Sequence, residues 1–488
     1  MGLRKKRKIS LNGHELHNGV FVAPFNTIEG ISPCNWFAEC VPEYLWLGLL
    51  LDSFDDRKQG LQEIMQMLQK IFLVAQNLEE PALSKILVLN ESIQRLVYQI
   101  IEESKLKEAL LTLNLIYSYS EYPLLSIFLT DEMFDYAKSL GILESVIRKM
   151  NNPQSEFTTD VKFLVVFYRL YPGCWRGSKE MLEDISLYPT IDHSDERMRS
   201  IRPTVRSLEK TFSGCNRPFV DDFWRKCGAM FECKPYILKY EKDVTEETVE
   251  KYSVFIKNVF LYYGDLYRIT NPLNEKMLVL LGLATYSYKR FLEIIEHDLF
   301  NTISGRSIVR VIIEDFMMMK YLLKEEPQNP KIWEDYQSYG MGKLKLVTER
   351  FPEVGVVSDE KNHFNLNYLN ILVDVYKSRL LQDMDTRMFD GGGVSQKFES
   401  VGEKELYLIY DYDSAFEHGL WGAIRESSLL ACDAPGHQFH CVPDVENQQK
   451  MKSVWYDAVM VMNRTIRILV DEFGLSDELK KRMPEYGL

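Results

Sequence analysis

The residues with the most chemistry to offer lie where charge should be excluded. Ser304 to Leu323 (SGRSIVRVIIEDFMMMKYLL) is apolar almost all the way round, yet it carries Arg306, Arg310, Glu314 and Asp315. A helix with no watery face is normally buried, and charges go inside only when they are paired or used. At roughly 100° per residue, Arg306, Arg310, Glu314, Met317 and Tyr321 fall on one side, with Ile308, Val311, Ile312, Met319, Leu322 and Leu323 on the other. Arg310 and Glu314 are four apart and can pair. An exposed pair of this kind contributes about 0.2–0.5 kcal/mol, whereas stranding one partner of a buried pair costs about 3–5 kcal/mol. The pair therefore either locks helix register from inside or faces a ligand.

A second group follows Tyr410 (YDYDSAFEHGLWGAIRES). Phe416, Leu420, Ala423 and Ile424 make an apolar face, while Tyr410, Asp411, Ser414, His418, Trp421 and Arg425 gather elsewhere on the same expected helix. Ser414 and His418, four apart, would meet on one turn. A hydroxyl beside an imidazole is half of a nucleophile–base arrangement, which also needs an orienting acid and an oxyanion hole. If the two helices share one bundle, Glu314, Ser414 and His418 are the candidate catalytic groups. Arg306, Arg310, Tyr410 and Arg425 would then bind a small phosphate or carboxylate ligand, or a partner protein. The other expectation is that the cluster only fixes packing, in a non-catalytic interaction scaffold.

His437-Gln438-Phe439-His440-Cys441 could ligate a metal through His437, His440 and Cys441, with Cys432 and His418 upstream. The paired spacings of common zinc modules are absent. Pro435-Gly436 makes the segment a loop, in which ligands can converge. Cys227 and Cys233, with Cys215, form a weaker thiol group. No phosphate-cradling Gly-Lys-Ser/Thr loop, dinucleotide glycine fingerprint, Gly-x-Ser-x-Gly elbow or His-Glu-x-x-His occurs.

The elements that must hold these residues read as helical. From Cys34 onward, Glu43–Leu51, 60–78, 83–102, 105–117 and 131–150 carry apolar residues at three- and four-residue spacing, with Pro81, Pro123, Gly141 and Pro153 as breakers. Thr130-Asp131 is the expected start of the last of these. Periodicity fades between Gly173 and Lys242, where short strands are expected near Ile201 and Tyr236. It resumes over 245–326, 333–351 and 364–385, after a loose Asp390-Gly391-Gly392-Gly393 loop at about Gln396, and finally over 447–473. The expected class is all-α, as two multi-helix domains with little or no sheet. The boundaries are a basic lead-in over 1–30, an N-terminal helical domain over 31–175, an irregular connection over 176–243 and a C-terminal bundle over 244–488.

Composition narrows the function. The 488 residues are 46% hydrophobic and 26% charged, enough for a large core, with a net charge of -13 that argues against wholesale nucleic-acid coating. The basic run Arg4–Lys8 has no apolar segment behind it, so it is no secretory signal. The eight cysteines are scattered rather than framed as disulfides. No apolar run reaches the length of a membrane span. A cytoplasmic protein, free of membrane and open to oligomerisation, is the expectation; the sequence leaves any cofactor unknown.

Two resemblances add to this. Arg290 and His297 (YKRFLEIIEHDLF) share a helical face and resemble the Arg-x4–6-His signature of the HEPN ribonuclease superfamily, itself a helical bundle. Phe291 departs from the polar residue usual after that arginine, and Arg7 and His14 show the same spacing in the basic tail. Residues from about Phe255 to Asn463 resemble a bacterial helical domain family of unknown function. The resemblance rests on Arg310 with Ile313-Glu314, Tyr321-Leu322, Trp333 with Tyr336, Phe398-Ser400-Val401, and Tyr410, Ser414 and His418-Gly419, in that order. It implies a role in a bacterial antiphage or abortive-infection system, because members occur in gene neighbourhoods tied to mobile elements and phage defence. It carries no reaction with it.

Overall fold

A computed structural model of the chain describes residues 15–17, 20–22, 35–131, 134–171, 173, 179–210, 216–240, 243–270, 274–354, 363, 365–376, 380, 388–446 and 451–488. The basic run 4–8, His14, Cys34, Cys174 and Cys215 lie outside the described residues. The architecture is all-α. The described residues form 21 α-helices, a two-stranded hairpin and one small three-stranded sheet. The hairpin pairs Glu15–His17 with Val20–Val22 inside the stretch expected to be a plain lead-in. The three-stranded sheet joins Pro235–Tyr236, Leu429–Cys432 and Cys441–Pro443 in that order. No helix among the described residues is long and apolar enough to cross a membrane.

The chain divides into two compact units. The first holds residues 1–235 and 431–440, the second 236–430 and 441–488. The first is built round the helix Val41–Asp52, where eleven of twelve residues are buried. An all-round apolar helix must be covered on every side, and Arg57–Val74, Tyr136–Met150, Glu156–Leu170 and Arg217–Met230 pack against it. Its polar groups are satisfied. Trp46 donates through Nε1 to the Pro81 carbonyl (2.9 Å), and the buried Glu43 accepts from the Ser84 amide and hydroxyl (3.0 and 2.8 Å). The Tyr136 helix starts five residues later than Thr130-Asp131 suggested, because Asp135 supplies the cap by accepting from the Lys138 amide.

The stretch 176–243 differs from its expectation. It carries three helices, Lys179–Leu187, Met198–Lys210 and Arg217–Met230, and belongs to the first unit as far as Pro235. Met198, Ile201, Val205 and Leu208 form a buried stripe at helical spacing. Pro203 inside that helix and the surrounding arginines and serines masked it. Ile201 is therefore helical, whereas Tyr236 does lie in a strand.

In the second unit, Ile303–Glu325 is the central helix, flanked by Glu275–Glu296, Lys404–Glu417 and Trp455–Phe473. Thr302 caps it by accepting from the Gly305 amide (3.1 Å). Eleven of its residues are buried, Arg306 among them. The Asp390–Gly393 loop is pinned rather than loose. The buried Lys397 ammonium donates to the carbonyls of Phe389 and Gly392 (2.7 and 2.6 Å), and Tyr321 donates to Asp390 (2.7 Å).

Candidate functional site

The expected single helix through Tyr410 and Arg425 is two helices. Lys404–Glu417 ends with His418 as its cap, and Trp421–Ser427 begins anew. Gly419 takes φ +58°, the left-handed backbone that glycine adopts without a Cβ penalty. The Gly419 amide then donates to the Phe416 carbonyl (3.2 Å) and the Leu420 amide to the Ala415 carbonyl (2.9 Å), the paired bonds that close a helix C-terminus. This break leaves His418 exposed at the helix end. The Ser414 hydroxyl instead donates to the Tyr410 carbonyl (2.6 Å) and accepts from Arg310 Nε (2.9 Å). The Ser414–His418 nucleophile–base arrangement is thus corrected: Ser414 is engaged by an arginine, and its helical partner faces solvent. Arg425, half-buried, sits on the second short helix, where its neighbour Glu426 is the residue that reaches Arg306 (3.8 Å).

The structure does bring Arg306, Arg310, Glu314, Tyr410 and Ser414 together. Arg310 donates through Nη2 to the Tyr410 hydroxyl (2.9 Å), lies 4.7 Å over that ring, and has Glu314 at 3.6 Å. Arg306 is only 3% exposed. Its Nη2 donates to the Lys452 carbonyl (3.2 Å), and its guanidinium stacks 5.0 Å over Phe416. Its Nε and Nη1 are buried without a hydrogen-bond partner among the described residues, a costly state for a charged donor.

One further candidate, Asp413, is not evident from helical spacing of the arginines and histidine alone. Asp413 is 2% exposed on the stripe Leu406, Tyr410, Asp413, Phe416. Burial pushes its carboxyl up to about 7, Asp457 and Glu426 add to the rise, and Arg306 and Arg310 oppose it. The signal was the one that drew attention to Arg306, a charge on an apolar stripe. Tyr412, the residue before Asp413, donates to Glu426 (2.7 Å), and burial with that carboxylate pushes its phenol up to about 12. Asp315 belongs elsewhere. It accepts from the Ser287 hydroxyl on the neighbouring helix (2.8 Å), and burial raises its carboxyl to about 7.

Arg290 lies within Glu275–Glu296 and His297 at its end. Arg290 pairs with Glu293, its Nε is buried without a partner among the described residues, and His297 is the exposed cap of Glu275–Glu296. A cleft of about 580 Å³ opens elsewhere in the second unit, with Asp243, Glu246, Glu250 and Asp298 on its lining. None of the candidate residues lines it.

In the first unit, two of the expected metal ligands meet two thiols. Cys233, Cys432, His437 and His440 place one donor atom each within 4.8 Å of the others. Cys233 Sγ lies 3.7 Å from Cys432 Sγ and 3.2 Å from His440 Nε2, and His437 Nδ1 lies 3.9 Å from Cys432 Sγ. Cys441 is not in this group; it opens the strand Cys441–Pro443 as a free thiol. The Cys227 thiol is buried, with burial pushing its pKa up, and it lies outside the Cys233 group.

No curated protein and no solved structure matches the chain. Residues 277–437, which carry Arg306, Arg310, Glu314, Tyr410, Asp413 and Ser414 but neither Cys233 nor His440, match the model of a family of unknown function (DUF5677), and this part of the chain is similar to that family.

Proposed function

We propose that the second unit binds a small ligand through an anionic group at Arg306, with Arg310 and Tyr410 orienting it and Asp413 holding or releasing a proton beside it. The observation that carries this reading is Arg306 itself, buried to 3% exposure with two N–H groups unpaired among the described residues. A phosphate or carboxylate oxygen satisfies such donors with charge-assisted bonds. Arg310 is already tied to Ser414 and Tyr410, so it serves as a fixed wall. Asp413, with its carboxyl near neutrality, is poised for proton transfer. The wider role proposed is that of a component of a bacterial antiphage or abortive-infection system, supported by the ordered residue set that resembles a family found beside phage-defence genes.

The test uses the full chain. Inorganic phosphate and acetate, titrated separately, should raise the melting temperature of the wild type by mass action. Arg306→Met should abolish that rise, and it should also abolish any protection in a phage-plating assay. A variant that keeps both responses would end the reading. The ribonuclease reading has one observation in its favour, the unpaired buried Nε of Arg290. It requires RNA degradation by the wild type that His297→Ala loses and His418→Ala keeps. The scaffold reading requires Arg306→Met and Asp413→Asn to change stability alone.

A further inference from the structure

We propose that Cys233, Cys432, His437 and His440 bind one Zn²⁺ ion in a closed, structural site of the first unit. Two thiolates and two imidazoles are a preferred donor set for tetrahedral zinc. With Zn–S near 2.3 Å and Zn–N near 2.0–2.1 Å, a tetrahedron has an S–S edge of about 3.8 Å and S–N edges of about 3.6 Å. The S–S separation here is 3.7 Å, and the two S–N separations of 3.2 and 3.9 Å fall either side of the ideal edge. Three of the six edges are thus close to those of a zinc tetrahedron, and all four donor atoms lie within 4.8 Å of one another, so small side-chain rotations close the site round one ion.

The surroundings fit the same reading. His437 directs Nε2 at the carbonyls of Phe231 (2.8 Å) and Gly228 (3.1 Å), so that nitrogen carries the proton and Nδ1 is left as the lone-pair donor facing Cys432. The amides of Lys234 and Ala434 point at Cys432 Sγ (3.3 and 3.4 Å), an arrangement that stabilises a thiolate. Between the two histidines, Gln438 and Phe439 both hold positive φ, +53° and +50°. Two successive non-glycine residues in that region persist only where the surroundings over-determine them. A bond from each flanking histidine to one ion would do so.

Four protein donors leave no open position, so the ion's role is structural rather than catalytic. Cys233 and Cys432 are 199 positions apart. The ion thus fastens the returning segment 431–440 to the body of its own unit and restrains a very long loop in the unfolded chain. On binding, each thiol gives up its proton to solvent as its sulfur bonds the metal, so affinity falls as the pH is lowered.

Full-length protein purified under reducing conditions without chelator should contain one zinc per chain by elemental analysis. Exchange with Co²⁺ should give the visible ligand-field and thiolate charge-transfer bands of a tetrahedral site. Cys233→Ser and His440→Ala should each drop the zinc content well below one per chain, while Cys441→Ser should retain it. Reduced wild type that takes up no metal from equimolar zinc, or that converts to a Cys233–Cys432 disulfide and then needs none, would overturn the proposal. So would full zinc occupancy in Cys233→Ser. The cobalt spectrum decides on the wild type alone if a ligand variant does not fold.

Discussion

Burial governs the chemistry of Asp413 more strongly than any single neighbour, and Asp315 follows the same rule in a different part of the second unit. Both carboxyls rise from 3.8 to about 7 in the folded chain. A carboxyl raised on folding binds protons more tightly when folded. Stability from these groups is then greatest below about pH 4, falls as pH climbs towards 7, and levels off above it. Asparagine at either position removes that dependence. Melting curves from pH 4 to 8 should therefore show Asp413→Asn and Asp315→Asn gaining on the wild type between about pH 4 and 7 and running parallel to it above that. Parallel curves throughout would show that the two acids are hydrated rather than buried. Arg306→Met should steepen the fall at Asp413, because it removes the cation that opposes the burial effect.

At the scale of elements, the site depends on where one helix starts. A Cβ on Gly305 would lie 2.1 Å from the Leu299 carbonyl oxygen and 3.3 Å from Val454. The first contact is closer than packing allows and is to backbone, which cannot swing aside as a side chain can; the second is tight and adds to the crowding. Gly305→Ala should cost at least about 1–3 kcal/mol by overpacking. It should also shift Arg306, the next residue, and so weaken the phosphate-induced rise in melting temperature. A circular-dichroism melt with and without phosphate checks both effects. The periodicity of Ile303–Glu325 was readable because its apolar residues recur at three and four. The end of Lys404–Glu417 was not, because apolar spacing continues through Leu420, Ala423 and Ile424 and hides the turn that Gly419 makes.

For the whole molecule, each of the two units has its own hydrophobic core. A chain of this kind departs from two-state unfolding. Scanning calorimetry should resolve two transitions. A strong chelator should lower the one belonging to the unit that holds Cys233 and residues 431–440, and a single transition insensitive to chelator would contradict this. The two units divide at Pro235, and the return of 431–440 to the first unit had no sequence signal. Pro435-Gly436 and the two histidines mark those ten residues as a loop with donor atoms, but no local pattern says which distant segment the loop packs against.

Local pattern alone determined the all-α class, the central buried helix of the second unit, and the conflict between its apolar faces and its arginines. Helical spacing and side-chain burial preference act over a few residues and leave their mark in the chain itself. Which partner each charge meets, that Asp413 rather than His418 stands beside Arg306, and that Cys233 joins a thiol 199 positions away were decided by tertiary packing. Those contacts depend on how distant helices turn and where they stop, and the free energy that selects them is spread over entire cores rather than written in any one segment.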